Sequence, residues 1–196
     1  MIDATMKNVQ TAEQVKAKRM ADLYNTVPNV VWSVLAFLPL FVFCYTHLPL
    51  HLVLVFCGIS LVPAFFPNRF FDKIQLAKDP FTYKKLGVGL VLRLSQNGAI
   101  INKMIRSKYP DYKALRWDQP SMKGLLSKTY MFEKFHYLVL VFFCLAGFYA
   151  FGKGLPAWGI ALFLINIVYN VYPILLQQFI RIKLATYYKK RVIPTV

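Results

Sequence analysis

The stretch "LPAWGIALFLINIVYNVYPILL", residues 155–176, runs for 22 residues without a charged side chain. About 20 mostly apolar residues suffice for a helix to cross a hydrocarbon layer roughly 30 Å thick, so this run predicts a membrane span. Just upstream, across a turn at Gly152 and Gly154, lies "FHYLVLVFFCLAGFYAF", residues 135–151. Two apolar runs joined by so short a turn predict antiparallel neighbours. A second pair stands nearer the N-terminus: "PNVVWSVLAFLPLFVFCYT" (28–46) and "LPLHLVLVFCGISLVPAFF" (48–66), with only His47 between them. The expected fold class is an all-α integral membrane protein whose four transmembrane helices form two hairpins, 28–66 and 135–180. Composition agrees, because a 196-residue chain that is 57% hydrophobic and 16% charged has more apolar surface than one small soluble core can hide.

Charge sets the expected orientation. Of 24 Lys and Arg, 4 precede residue 28, 14 lie between Pro67 and Lys134 and 5 follow residue 180, which leaves Lys153 alone in the hairpin turn. Basic residues favour the cytoplasmic side, so both termini and the segment 67–134 are expected there. A net charge of +16 would suit nucleic acid in a soluble protein. In an apolar chain it fits topology and anionic headgroups instead, and no nucleic-acid partner is expected.

The segments outside the spans have their own patterns. Residues 1–27 hold no apolar run ending in a cleavage site, so the first span is expected to be an uncleaved anchor. Met20, Leu23, Tyr24 and Val27 share a helical face, and Thr11 with Gln14 suits a capping box, which predicts an amphipathic cytoplasmic segment on the membrane. Residues 67–134 read as a basic interfacial or cytoplasmic helical segment. Within it Leu90, Leu94, Ile101 and Ile105 lie near one face, while Arg93, Gln96 and Asn97 interrupt the apolar run. A span there would place an arginine near mid-bilayer at about 2.5–3.5 kcal/mol, so an interfacial helix is the expectation. The stretch 107–120, punctuated by Pro110 and Pro120, reads as a loop carrying a short helix, and 181–196 as a basic cytoplasmic tail.

Metal and disulfide chemistry find little support. Cys44, Cys57 and Cys144 sit inside apolar runs without CxxC spacing, and His47 with His51 lacks a third ligand nearby, so neither metal nor cofactor is expected. Polar groups within spans are more informative, because they usually face other helices or a wet cavity. Asn166, Asn170, Pro173, Gln177 and Arg181 are spaced 4, 3, 4 and 4 apart, one side of an α-helix. Glu133 and His136, three apart, stand at the mouth of the preceding span. Antiparallel packing brings that mouth level with the end of the last span.

Glu133, His136, Gln177 and Arg181 are thus expected to converge at the inner leaflet. A histidine braced by a carboxylate can take a proton from an alcohol and return it to a leaving group, while amide and guanidinium donors hold an oxyanion or an anionic part of the donor. The bland alternative is an interfacial histidine beside a salt-bridged glutamate, with asparagines that glue helices together and an arginine that snorkels.

At these residues the sequence resembles the glycosyl-4,4'-diaponeurosporenoate acyltransferase family, small bacterial membrane proteins that acylate the sugar of a carotenoid glycoside. One block is Glu133, His136 and the aromatic Tyr137, where the family usually has Trp. The other is "NVYPILLQQFIRIKL", residues 170–184, similar to Asn-Val-Pro followed by Gln-Arg-Tyr-Asn-Arg-x-Arg-Leu. Asn170, Gln177, Arg181 and Leu184 fall in register, and weaker similarity at 67–71 and 81–85 extends it over the last two-thirds of the chain. Pro173 lies one place late, Gln178, Ile180 and Lys183 replace Arg, Asn and Arg, and Met131 stands where an Arg is usual.

The resemblance implies acyl transfer from acyl-CoA or acyl carrier protein to a hydroxyl of a membrane-embedded, lipid-like acceptor. It implies His136 and Glu133 as catalytic residues and Asn170, Gln177 and Arg181 as substrate-binding ones, to which the polar stripe adds Asn166. The setting it implies is the bacterial inner membrane, multi-pass, with membrane lipids as neighbours and oligomeric state open. A non-enzymatic scaffold or assembly factor is the competing class; charge reversal at Lys108, Lys113 and Arg116 would then do more harm than changes at Glu133 or His136. A transporter has less support, since no charged residue lies at mid-membrane.

Overall fold

The computed structural model describes residues 12–94, 99–110 and 119–192, and every regular element among them is helical. Helix α1 spans Ala12–His47 and contains Pro28 and Pro39. Each proline removes one backbone donor without ending the helix, because in hydrocarbon the other peptide groups find partners only within it. The helix thus runs unbroken from the segment before residue 28 into the first apolar run. Small residues form its side toward the rest of the protein. Ala17 and Ala21 are covered, whereas Leu23 and Val27 are 65% and 58% exposed.

After Pro49 the chain turns back as α2 (Leu50–Ser60) and a 3-10 turn (Val62–Phe65). Among the described residues three helical stretches are long and apolar enough to cross a membrane: Val15–His47, Lys123–Gly152 and Pro156–Tyr187. The expected fourth is shorter, Leu50–Phe65, because Pro49 delays its start and Pro63 tightens its end.

The chain continues through α3 (Asn68–Lys73), α4 (Pro80–Lys85), α5 (Val88–Leu94) and α6 (Ala99–Lys108). Asp79 caps α4: its carboxylate accepts from the Thr82 amide at 2.9 Å and the Thr82 hydroxyl at 2.8 Å, bonds that hold its pKa below the usual range. Gly87, at φ +79°, makes the left-handed turn into α5 that a side chain would disfavour. Helices α5 and α6 both lie in the stretch expected to be one interfacial helix, and residues 95–98 between them are outside the described residues. Ile101 and Ile105 bury against Ala21 with Tyr24 and Tyr109 beside them, but Leu90 is 62% exposed. Thr11, Gln96, Asn97, and the 111–118 part of the expected loop with Lys113 and Arg116, lie outside the described residues.

Helix α7 (Gln119–Gly152) and helix α8 (Pro156–Asn166) form the C-terminal hairpin. A π turn (Ile167–Val171) leads into α9 (Tyr172–Val192), so the helix runs on through most of the expected tail. Phe43, Phe143 and Leu162, all fully buried, join α1, α7 and α8 in the main core. The short limb lies along α7: Phe56 packs on Phe142 and Tyr149, and Lys134 Nζ donates to the Ala64 carbonyl at 3.4 Å.

Close approach of α7 and α8 rests on two reciprocal glycines. A Cβ on Gly147 would stand 2.7 Å from the Phe163 ring, and one on Gly159 equally close to Phe151. Phe163 is flanked by Phe148 and Phe151, whereas Phe151 is 43% exposed and has room to swing outward. Gly147→Ala is accordingly expected to destabilise the fold by about 1–3 kcal/mol of overpacking strain and to lower the thermal midpoint in detergent more than Gly159→Ala does. Equal midpoints would contradict this account of the contact.

Candidate functional site

The polar face of the last helix is built around the π turn. A π turn holds about one residue more than an α turn, and single π turns are frequent at functional sites. The extra residue shifts the register downstream. Asn166, Asn170 and Gln178, respectively 3%, 0% and 2% exposed, share the inner face with Arg181 at 3%, while Gln177 is displaced to a partly exposed position. Gln178, not Gln177, reaches the site.

Two hydrogen-bonded groups stand side by side. The first is centred on Glu133, which is fully buried in α7. Its Oε1 accepts from Gln178 Nε2 at 2.9 Å, and its Oε2 pairs with Arg181 Nη1. Arg181 Nη2 also donates to the Phe71 carbonyl at 3.4 Å, Nε lies 3.5 Å from Asp72 Oδ1, and the guanidinium covers the Tyr130 ring at 4.4 Å. Gln75, with its amide oxygen turned toward Arg181, accepts from Nε and Nη2 at 3.1 Å each. Tyr130 donates to Asp72 at 2.7 Å. Gln178 Oε1 accepts from the Leu76 amide at 3.2 Å and lies 3.0 Å from the hydroxyl of Tyr83. Burial pushes the Tyr83 pKa up, so that hydroxyl keeps its proton. This cluster ties the 71–83 segment to α7 and α9, and its buried charges are paired and hydrogen-bonded, as low dielectric demands.

The second group runs through His136. Asn166 Nδ2 donates to the Leu140 carbonyl at 3.1 Å and toward Cys144 Sγ at 3.3 Å, so its oxygen faces the other way. That oxygen accepts from Asn170 Nδ2 at 2.7 Å, which leaves the Asn170 oxygen facing His136 Nδ1 at 3.3 Å. A backbone carbonyl only accepts, so the polarity of the whole chain is fixed from its far end. Asn170 needs a donor, His136 supplies Nδ1–H, and the neutral ring carries its lone pair on Nε2. The rings of Phe135 and Tyr169 stand edge-on to the imidazole at 5.3 and 5.9 Å.

Expectation and structure thus differ in pairing more than in place. Glu133, His136, Asn166, Asn170 and Arg181 all lie in this region. Among the described hydrogen bonds none joins Glu133 to His136; the ring is oriented by Asn170, because each member of the Glu-x-x-His pair finds its partner across the helix interface. Arg181 was expected to face substrate, yet Glu133, Asp72 and Phe71 engage its donors. Tyr83, Gln75, Asp72 and Tyr130 were not anticipated. Asp72 and Tyr83 flank a stretch that only long-range folding brings to α9, and no local pattern announces it.

The family model of glycosyl-4,4'-diaponeurosporenoate acyltransferase matches residues 67–190, well over half of the chain. No curated protein and no solved structure matches it. The matched stretch contains both hydrogen-bonded groups and leaves out α1 and the whole of the short limb. Three membrane-length helices, a polar face interrupted by a π turn and that match together make the chain a membrane protein of the glycosyl-4,4'-diaponeurosporenoate acyltransferase family.

Proposed function

We propose that the protein transfers a fatty acyl group from a cytoplasmic thioester, acyl-CoA or acyl carrier protein, to a sugar hydroxyl of a membrane-embedded carotenoid glycoside, with His136 as general base. The observation that carries this reading is the polarised chain from the Leu140 carbonyl through Asn166 and Asn170, which leaves an imidazole lone pair on Nε2. Nε2 takes the proton of the acceptor hydroxyl as its oxygen attacks the thioester carbonyl. The tetrahedral intermediate collapses, the C–S bond breaks, and the same nitrogen returns the proton to the departing thiolate. Ester and thiol are the products, and no serine nucleophile is needed. Asn170 and Asn166 act as positioning residues, and Glu133 with Arg181 as the clasp that holds the 71–83 segment beneath the site.

Short as it is, the limb Leu50–Phe65 completes a fourth crossing in this reading. Its 11 α-helical and 4 3-10 residues rise roughly 24 Å, close to the roughly 27 Å that α7 covers between Lys134 and Gly152. Local thinning or snorkelling accommodates such a mismatch. Both termini then share the basic side, which is the cytoplasmic one.

Mass spectrometry of lipid extracts, from cells that make the glycosylated carotenoid with and without this gene, tests the assignment. The expected result is one species heavier by a single fatty acyl group, present only with the gene. Identical extracts, with the protein present in the membrane, would favour a scaffold.

A further inference from the structure

Resting on the His136 reading, we infer that Tyr169 positions the catalytic imidazole, and that Ser33 of α1 holds Tyr169 in place. The first span thereby joins an active site whose other members all lie inside the family-matched stretch. Tyr169 and Asn170 are consecutive residues of the π turn, and both contact His136: Asn170 at Nδ1, Tyr169 edge-on to the ring at 73°. Tyr169 is held at its far end as well. Its hydroxyl lies 3.1 Å from Ser33 Oγ, and its ring meets Phe37 at 5.4 Å in a T-shaped contact. Ser33 and Phe37 are four apart, one face of α1.

Asn170 fixes one ring atom of His136, and of the two rings that stand edge-on to the imidazole Phe135 is 45% exposed, which makes Tyr169 the buttress on the protein side. The Tyr169 ring serves as a buttress only if it is itself held. The Ser33 hydroxyl ties the far end of the Tyr169 ring to α1 by an interhelical hydrogen bond, while Phe37 bears on its side. Effects on rate through misplaced groups are steep, because catalysis depends on near-attack geometry.

The test is a double-mutant cycle in membranes that hold the full-length protein, with acyl-CoA as donor and glycosyl-4,4'-diaponeurosporenoate as acceptor, normalised to protein amount. Ser33→Ala and Tyr169→Phe each sever the same bond. Each is expected to lower kcat about three- to tenfold with KM nearly unchanged, the double variant matching either single one. Ser33→Thr, which keeps a hydroxyl, is expected to restore most of the rate. Additive losses, no loss, or a rise in KM alone would overturn the inference. So would a loss in Tyr169→Phe about a hundredfold beyond that of Ser33→Ala, since the hydroxyl would then act on substrate directly. His136→Ala, assayed alongside, separates the two claims: an active variant removes the underlying reading, whereas an inactive one beside an uncoupled cycle removes only the role of α1.

Discussion

His136→Ala is expected to lower acyl transfer by about 10²- to 10⁴-fold, the usual contribution of a positioned general base, while the protein remains inserted at its normal level. The size of the effect follows from the lone pair on Nε2, for which the neighbouring residues offer no substitute. Asn170→Leu keeps the imidazole but removes the acceptor that sets its tautomer. It is expected to lose less than His136→Ala and to leave acceptor KM within about twofold, since positioning acts on kcat. Rates of ester formation per unit of membrane protein decide both. An undiminished rate in His136→Ala would remove the imidazole from the chemistry.

Arg181→Met should produce the largest loss of stability, about 3–5 kcal/mol, because it leaves the fully buried Glu133 carboxylate with Gln178 as its remaining hydrogen-bond partner. Glu133→Gln is the milder change. Arg181 would keep Asp72 and the Phe71 carbonyl, so a loss of about 1–3 kcal/mol is expected. Combining the two removes both charges and is expected to recover part of the Arg181→Met loss. Thermal unfolding in detergent, followed by intrinsic fluorescence, gives the order. Below the midpoint of each variant, the folded Glu133→Gln protein should retain acyl transfer within about tenfold of the parent, as befits a clasp. Abolished transfer in well-folded Glu133→Gln would instead place the carboxylate in the reaction.

Much of the architecture could be read from hydrophobicity, because each apolar run long enough to span a membrane carries its own signal. The short limb shows the limit of that signal. Residues 48–66 are as apolar as the other runs, but Pro49 and Pro63 shorten the helix they form. Helical spacing placed Asn166, Asn170 and Arg181 correctly on one face and missed Gln178 for a single reason: it presumes a uniform α turn, and the π turn adds a residue. Spacing of three put Glu133 and His136 together on α7 but says nothing of partners on other helices. Asp72, Gln75 and Tyr83 reach Arg181 and Gln178 from about a hundred positions away, a distance over which no periodicity operates.

The row of carboxamides behind His136 has a further consequence, because a carboxamide holds its protons firmly near neutrality. It is an anchor and an insulator at once. In the proposed reaction the charge that forms on the ring would have no wire leading inward to the Leu140 carbonyl, so the captured hydrogen would be cornered on the nitrogen facing the reactants and leave with the sulfur. Deprotonating the alcohol and releasing the thiol would then be two strokes of one residue.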